Sequence, residues 1–262
     1  MREIGTGNVS VTIDGYRADV TLNRPDKRNA MNVDLLQDLK GALEEVEAED
    51  DVRAITLLGE GPVFCAGMDL EMMTEGSDEV LEERRRLFRD VLTAIDESTS
   101  PVVVGIKGAG IAGAFELTLP ADFRILGENA KFGIQEVKLG VFPAGGSITR
   151  LPWLIGLAKA KELVLTGELI DPKEADRCDL VTEVVPDGEV DERAREYADG
   201  LTENAPLGLE QALKAFNHTT DVPLEDSLEI ERYLSEEISD TRDRHEGFRA
   251  RREGREPEFE GR

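Results

Sequence analysis

Histidine, cysteine and lysine are scarce in this chain, and each scarcity closes off some chemistry. Its 262 residues include two histidines, His218 and His245, and two cysteines, Cys65 and Cys178. Neither histidine lies near a serine or cysteine nucleophile motif, which argues against a histidine-based triad and a multi-histidine metal site. No metal is expected. Two cysteines supply neither a disulfide framework nor a cysteine-rich zinc site. Long apolar runs are missing too. The longest uncharged stretch, Leu139 to Thr149, is too short and too glycine-rich to span a bilayer. The opening MREIGTGNVSVTIDG has no apolar signal segment. The expectation is a soluble, reduced, cytoplasmic protein.

Only nine of the 31 basic residues are lysine, against 56 acidic ones, for a net charge of −25. A surface this acidic repels phosphate backbones and anionic lipid heads, so neither nucleic acid nor membrane is an expected partner. Many carboxylates with few lysines suit a protein kept soluble in high salt, where screening suppresses self-repulsion. The same composition also fits a merely acidic protein of an ordinary cell. Hydrophobic residues make up 40%, enough for a sizeable core and against intrinsic disorder.

The first 22 residues read as a hairpin. Val9, Val11 and Ile13 alternate, Asp14-Gly15 turns, and Ala18, Val20 and Leu22 alternate again. A helix is expected from about Asn32, with Leu35, Leu39, Leu43 and Val46 on one stripe. Val52 to Leu58 reads as a strand, and Glu71 through Glu97 as one charged amphipathic segment. Val102 to Ile106 is a further strand, Gly108 to Gly113 a small-residue turn, Ala114 to Leu119 a helix and Ala121 to Leu126 a strand. Strand, turn and helix alternate about every 45 residues, which suggests an α/β fold of repeated ββα-like units. Beyond about residue 200 only helices are expected, with apolar faces suited to docking on the core or on another subunit.

Three segments set small residues beside isolated carboxylates: Val63 to Leu70, Lys107 to Leu117 and Lys131 to Pro143. The strand ending in Gly108-Ala109-Gly110-Ile111-Ala112-Gly113 opens a helix, whose first N–H groups lack intrahelical acceptors. Such a turn serves close packing, phosphate cradling or oxygen binding, and the Walker and Rossmann spacings are not met. Glu116 lies in an apolar stretch where a buried carboxylate is costly; the plainer reading turns it to solvent. Glu136 alone would be an ordinary surface residue. Two carboxylates facing one cleft can divide the roles of acid and base when their environments set their protonation apart.

Together these segments resemble the crotonase family, the enoyl-CoA hydratase/isomerase superfamily. Further matching pieces are Asn23-Arg24-Pro25, Lys27 to Asn32, Ala121 to Ile125, Arg150-Leu151-Pro152, Leu165-Thr166-Gly167, Glu246-Gly247-Phe248 and Pro257-Glu258-Phe259. The resemblance covers nearly the whole chain, in order. It implies a crotonase-like spiral of ββα units over 1–200, with a C-terminal helical region over 201–262 that forms a trimer or a dimer of trimers. It implies an acyl-CoA thioester substrate and no separate cofactor, since coenzyme A is part of the substrate. The oxyanion hole matches the backbone N–H groups of Ala66 and Gly113. Ala30, Gly67, Met68, Asp69 and Leu70 are expected at the substrate, and Lys27 and Arg28 are either contacts for the phosphates of coenzyme A or solvated surface charges.

Glutamates at both 116 and 136 resemble the enoyl-CoA hydratases: Glu116 orients and deprotonates the water, and Glu136 protonates C2. A Δ3,Δ2-enoyl-CoA isomerase using Glu136 alone and a non-catalytic acyl-CoA-binding oligomer are the alternatives. Departures at Ile111-Ala112, Phe115 and Pro143 to Thr149 bear on acyl-chain preference, and Phe115 is read as a core residue. Cys65 reads as packing, and Asp69 as a cap or buttress. Met72 and Met73 fit an acyl pocket or the core. Arg249, Arg251 and Arg252 are either contacts for coenzyme A or solvated charges.

Overall fold

The computed structural model describes residues 1–218 and 222–262. The N-terminal strands β1 (Arg2–Ile4), β2 (Val9–Asp14) and β3 (Arg17–Leu22) pair antiparallel, with Val11 opposite Val20 and Ile13 opposite Ala18. This register places Val9, Val11, Ala18, Val20 and Leu22 in the core. Asn32 caps helix α1 (Val33–Glu47) by accepting the Leu35 N–H at 2.9 Å, and the expected leucine stripe is buried.

Strand β4 (Ala54–Gly59) lies parallel to β3 and leads toward helices α2 (Leu70–Glu75) and α3 (Asp78–Asp96). The single segment expected over Glu71 to Glu97 is therefore two helices. Gly76 closes the first by donating to the Met72 carbonyl, and Ser77 caps the second. Strand β5 (Val102–Ile106) continues the parallel sheet. The small-residue turn expected over Gly108 to Gly113 instead contains strand β6 (Ala109–Ile111), which opens helix α4 (Gly113–Thr118). Strand β7 (Phe123–Gly127) returns to the main sheet, and β8 (Lys131–Gly133) pairs with β6, Gly110 opposite Phe132.

Helices α5 (Ser147–Ile155), α6 (Leu157–Thr166) and α7 (Pro172–Arg177) precede the edge strand β9 (Glu183–Val185). The main sheet runs β1-β2-β3-β4-β5-β7-β9. Helix α8 (Val190–Thr202) covers one face through Val190, Ala194 and Ala198, while α1 and α3 cover the other. Burial on both faces explains why β4 and β5 read as continuous apolar runs. The repeat is uneven: β7 follows β5 after the short α4, whereas three helices separate β8 from β9.

The chain ends in α9 (Pro206–His218), α10 (Leu224–Glu237) and α11 (Arg242–Glu253). The division expected at residue 200 falls inside the last turn of α8. The charged tail folds back: Asp243 accepts the Glu260 and Gly261 N–H groups, and Arg53 donates to the Phe259 carbonyl. Among the described residues no helix is long and apolar enough to cross a membrane.

Arg124 on β7 ties this frame together behind the site. It is buried and donates to the carbonyls of Leu180 (2.8 Å), Thr118 (3.1 Å) and Ala121 (2.6 Å), at the exit of α4. Arg124→Ala strands three buried acceptors, each costing about 1–3 kcal/mol. We expect a loss of at least ~3 kcal/mol in urea unfolding, and an unchanged midpoint would contradict the role.

Candidate active site

The loop from Val63 to Asp69 is stitched on both sides by backbone bonds. The Phe64 and Cys65 N–H groups donate to the carbonyls of Lys107 (2.8 Å) and Ala109 (3.0 Å). On the opposite side Met31 donates to the Gly67 carbonyl (2.8 Å) and accepts from the Asp69 N–H (2.9 Å). Met31 thereby engages the residues flanking Met68, and the Met68 N–H faces away from Met31. The Ala66 N–H is committed to the Arg28 carbonyl at 3.0 Å. It is not open to a ligand, which corrects the expectation for Ala66. The Met68 N–H, two residues on, has no acceptor among the described residues.

Gly113 provides the second open N–H, at the first position of α4, where no intrahelical acceptor exists. The preceding Ala112 is held at φ 53, ψ −126, a strained conformation for a residue with a side chain. Its N–H donates to the Gly133 carbonyl (2.9 Å), and its carbonyl accepts from the Glu116 N–H (3.1 Å). The two open amides are neighbours: a Cβ on Gly113 would meet Met68 Cε at 3.0 Å and Cγ at 3.4 Å. Gly67, at φ 97, leaves no room for a side chain either, since its Cβ would stand 3.0 Å from the Ile111 carbonyl.

One turn into α4, Glu116 points inward and is 4% exposed. Its Oε1 accepts from the Gly145 N–H (2.8 Å) and the Ser147 hydroxyl (3.0 Å). Gly145 has to be small, because a Cβ there would lie 2.7 Å from both the Glu116 carboxyl and the Phe88 ring. Glu136 opens a short 3-10 turn over Glu136–Leu139 and is 7% exposed, with its Oε2 buried and without a partner.

Burial raises both carboxyls, but their surroundings differ. Around Glu116 the donors at Ser147 and Gly145 and the positive charge of Arg84 oppose the rise. For Glu136 burial is reinforced by the charge of Glu116, and its pKa is pushed up to about 7. The site therefore pairs a carboxyl held by two donors, Glu116, with one that is about half protonated near neutrality, Glu136.

A family model described as enoyl-CoA hydratase/isomerase matches residues 16–262. The enoyl-CoA hydratase EchA19 of Mycobacterium tuberculosis is 35% identical over 251 residues, covering 95% of this chain and 94% of the relative. The 2,3-dehydroadipyl-CoA hydratase of Escherichia coli is 34% identical, covering 93% of this chain and 94% of the relative. A crystal structure of an enoyl-CoA hydratase from Bacillus anthracis superimposes with a TM-score of 0.94 at 33% identity, covering 97% of this chain and 100% of that one. This chain belongs to the enoyl-CoA hydratase/isomerase family.

Several residues that match this family's motifs serve as scaffold. Asp69 caps α2 by accepting the Glu71 and Met72 N–H groups and pairs with Arg24 at 3.2 Å. Burial raises its pKa, yet the Met72 N–H and Arg24 outweigh that and hold the carboxyl below the usual range. The Ala30 carbonyl accepts from Arg24. Cys65 is buried, its thiol pushed up to about 12, and it donates to the Asn29 carbonyl. Phe115 is fully buried against Phe132, with ring centroids 4.6 Å apart.

Lys27, Arg28 and Leu70 are exposed, whereas Met72 and Met73 are half-buried. Lys27 lies 3.9 Å from Glu71. Arg249 is engaged by Glu246, while Arg251 and Arg252 are exposed. Sequence reasoning missed the Met68 amide, Gly145 and Ser147 as supports of Glu116, and Arg84 beside it. Only the run of small residues over 144–147 hinted at any of them.

The raised Glu136 has a consequence for stability. Its neutral form is favoured in the folded state, so its contribution is complete below the ordinary carboxyl value near 4.5 and is lost as pH rises toward about 7. Glu136→Gln removes this penalty. Relative to the parent, the variant should gain about 2–3 kcal/mol between pH 4.5 and 8. Urea unfolding at both pH values tests it; a pH-independent difference would refute the assignment.

Proposed function

We propose that this protein reversibly adds water to a trans-2-enoyl-CoA, giving the 3-hydroxyacyl-CoA. The observation that carries the reading is the buried pair of unlike carboxyls, Glu116 held by two donors and Glu136 raised to about 7, beside two amides with no acceptor among the described residues. The relatives named as hydratases support the same reaction class, a hydro-lyase acting on an acyl-CoA thioester.

In this reading the thioester oxygen lies between the N–H groups of Met68 and Gly113. Addition at C3 moves charge onto that oxygen as an enolate, and each fixed donor aimed at it contributes about 3–4 kcal/mol. Glu116 accepts a proton from water as the oxygen bonds C3. Glu136 gives its proton to C2. The two carboxyls end with their protonation exchanged and re-equilibrate with solvent, and the reverse order dehydrates. The Gly145 and Ser147 donors favour the ionised form of Glu116 and aim it, while burial and the charge of Glu116 favour the protonated form of Glu136.

The reading includes a trimer or a dimer of trimers in a reducing cytoplasm. Leu224 and Tyr233 on α10 and Phe248 on α11 are 74%, 61% and 68% exposed, which supports burial between copies. The charge of −25 supports adaptation to salt. Sedimentation should find the assembly intact and active in concentrated salt and dissociating in dilute buffer; full activity and intact oligomers in dilute buffer count against the salt requirement.

Loss of the crotonyl-CoA conjugated absorbance measures hydration directly. Glu116→Gln and Glu136→Gln should each lower kcat by at least roughly a hundredfold. For the parent enzyme kcat/KM should fall as pH rises above about 7, because Glu136 must carry the proton it donates. Near-normal hydration by either variant removes that residue from the mechanism.

A further inference from the structure

Arg84 stands on α3 one turn before Phe88, the residue whose ring meets Glu116 at Gly145. Residues four apart share a helix face, and the charges of Arg84 and Glu116 act on each other, so Arg84 stands on the Phe88 side of Glu116. Its Nε is buried with no hydrogen-bond partner among the described residues. Among the described residues no carboxylate lies within 4 Å of its guanidinium, whereas Arg17, Arg24 and Lys107 each have one and the buried Arg124 is held by three backbone carbonyls. In a chain with 56 acidic residues this isolation is not a shortage of anions. Glu116 acts on Arg84 through its charge but forms no ion pair with it within 4 Å, and its Oε1 is held by Gly145 and Ser147.

A half-buried guanidinium with open donors is costly unless an acceptor arrives. Coenzyme A leaves the thioester on the sulfur side of the Met68 and Gly113 amides. The acyl chain leaves on the other side, past the two glutamates that flank its double bond. In the hydratase reading a cation close to Glu116 therefore stands on the acyl side of the thioester. A planar guanidinium is suited to a carboxylate, which it binds through paired N–H groups.

We propose that Arg84 is the specificity-determining residue of the acyl pocket and binds a carboxylate at the far end of the acyl chain. The preferred substrate is then a trans-2-enoyl-CoA bearing a second acidic group. This inference rests on the hydratase reading above, and the experiment separates the two.

The test compares trans-2-hexenoyl-CoA with its analogue ending in a carboxylate. The parent enzyme should favour the acid at least about tenfold in kcat/KM, and Arg84→Gln should shift that ratio toward the neutral substrate by roughly a hundredfold. Arg84→Lys should restore part of the preference. A parent enzyme that favours the neutral substrate overturns the proposal, even if the variants fail to fold. So does Arg84→Gln lowering both substrates equally with a shifted acidic limb of the pH profile, which would mean that Arg84 acts through Glu116. An unchanged ratio with a weakened assembly also overturns it, because a carboxylate of a neighbouring copy would then be the partner. If no enoyl-CoA is hydrated, the hydratase reading fails by itself. Calorimetric binding of the saturated acyl-CoA pair still decides Arg84: tighter binding of the acid supports the proposal, and equal binding refutes it.

Discussion

Two buried carboxyls that feel each other's charge cannot both be ionised cheaply, and the arrangement around Glu116 and Glu136 turns that repulsion into a division of labour. Their difference lies in their neighbours. Glu116 receives two hydrogen bonds from the segment that starts α5, while Glu136 has an oxygen with none. Charge on the first raises the second, so the two protonation states are one coupled property of the pair. Removing the donors at Gly145 and Ser147 would weaken this asymmetry without touching either glutamate.

The amides that complete the site depend on backbone strain and pairing more than on side chains. Ala112 is kept at positive φ by bonds from both of its peptide groups, and Met31 fixes which way the Met68 peptide faces. Asn29 supports the same loop from beneath, donating to the carbonyls of Glu60 and Val63 at 3.0 and 2.8 Å. The motif around Asn29 and Met31 is thus a clamp on the oxyanion loop. Arg124 does the equivalent work at the far end of α4, where its guanidinium holds the carbonyls at the helix exit. Strain of about 1–3 kcal/mol at Ala112 persists only because both ends of this frame are fixed.

Legibility in the sequence followed the reach of each interaction. The hairpin, the Asn32 cap and the leucine stripe of α1 depend on residues close in sequence, and periodicity exposed them. Glu116 stood out as a carboxylate in an apolar stretch, whereas Glu136 gained interest only as its partner. The choice between Ala66 and Met68 depends on which peptide faces Arg28, Met31 or the cavity, and no side-chain pattern encodes that. The pairing of β6 with β8 was hidden because both strands are only three residues long and each contains a glycine, so that they look like turns. Gly145 and Ser147 reach Glu116 across 29 and 31 residues, a contact made only by folding.

The same logic accounts for the scarcity of available positive charge on a protein whose substrate is anionic. Arg17 is tied to Asp19, Lys107 to Asp191, and Lys159 to Glu162 and Glu174. Arg124 is consumed by backbone carbonyls, and Arg249 and Arg255 by Glu246. These cations hold the fold rather than ligands. Attraction of a polyanionic substrate by net charge is absent at −25, so recognition has to rely on short-range contacts that survive screening: directed amides, a shaped cavity and a few placed guanidinium groups. An acidic surface tolerates an acidic substrate on those terms, because the contacts act within a few ångströms while the repulsion fades with salt over a Debye length.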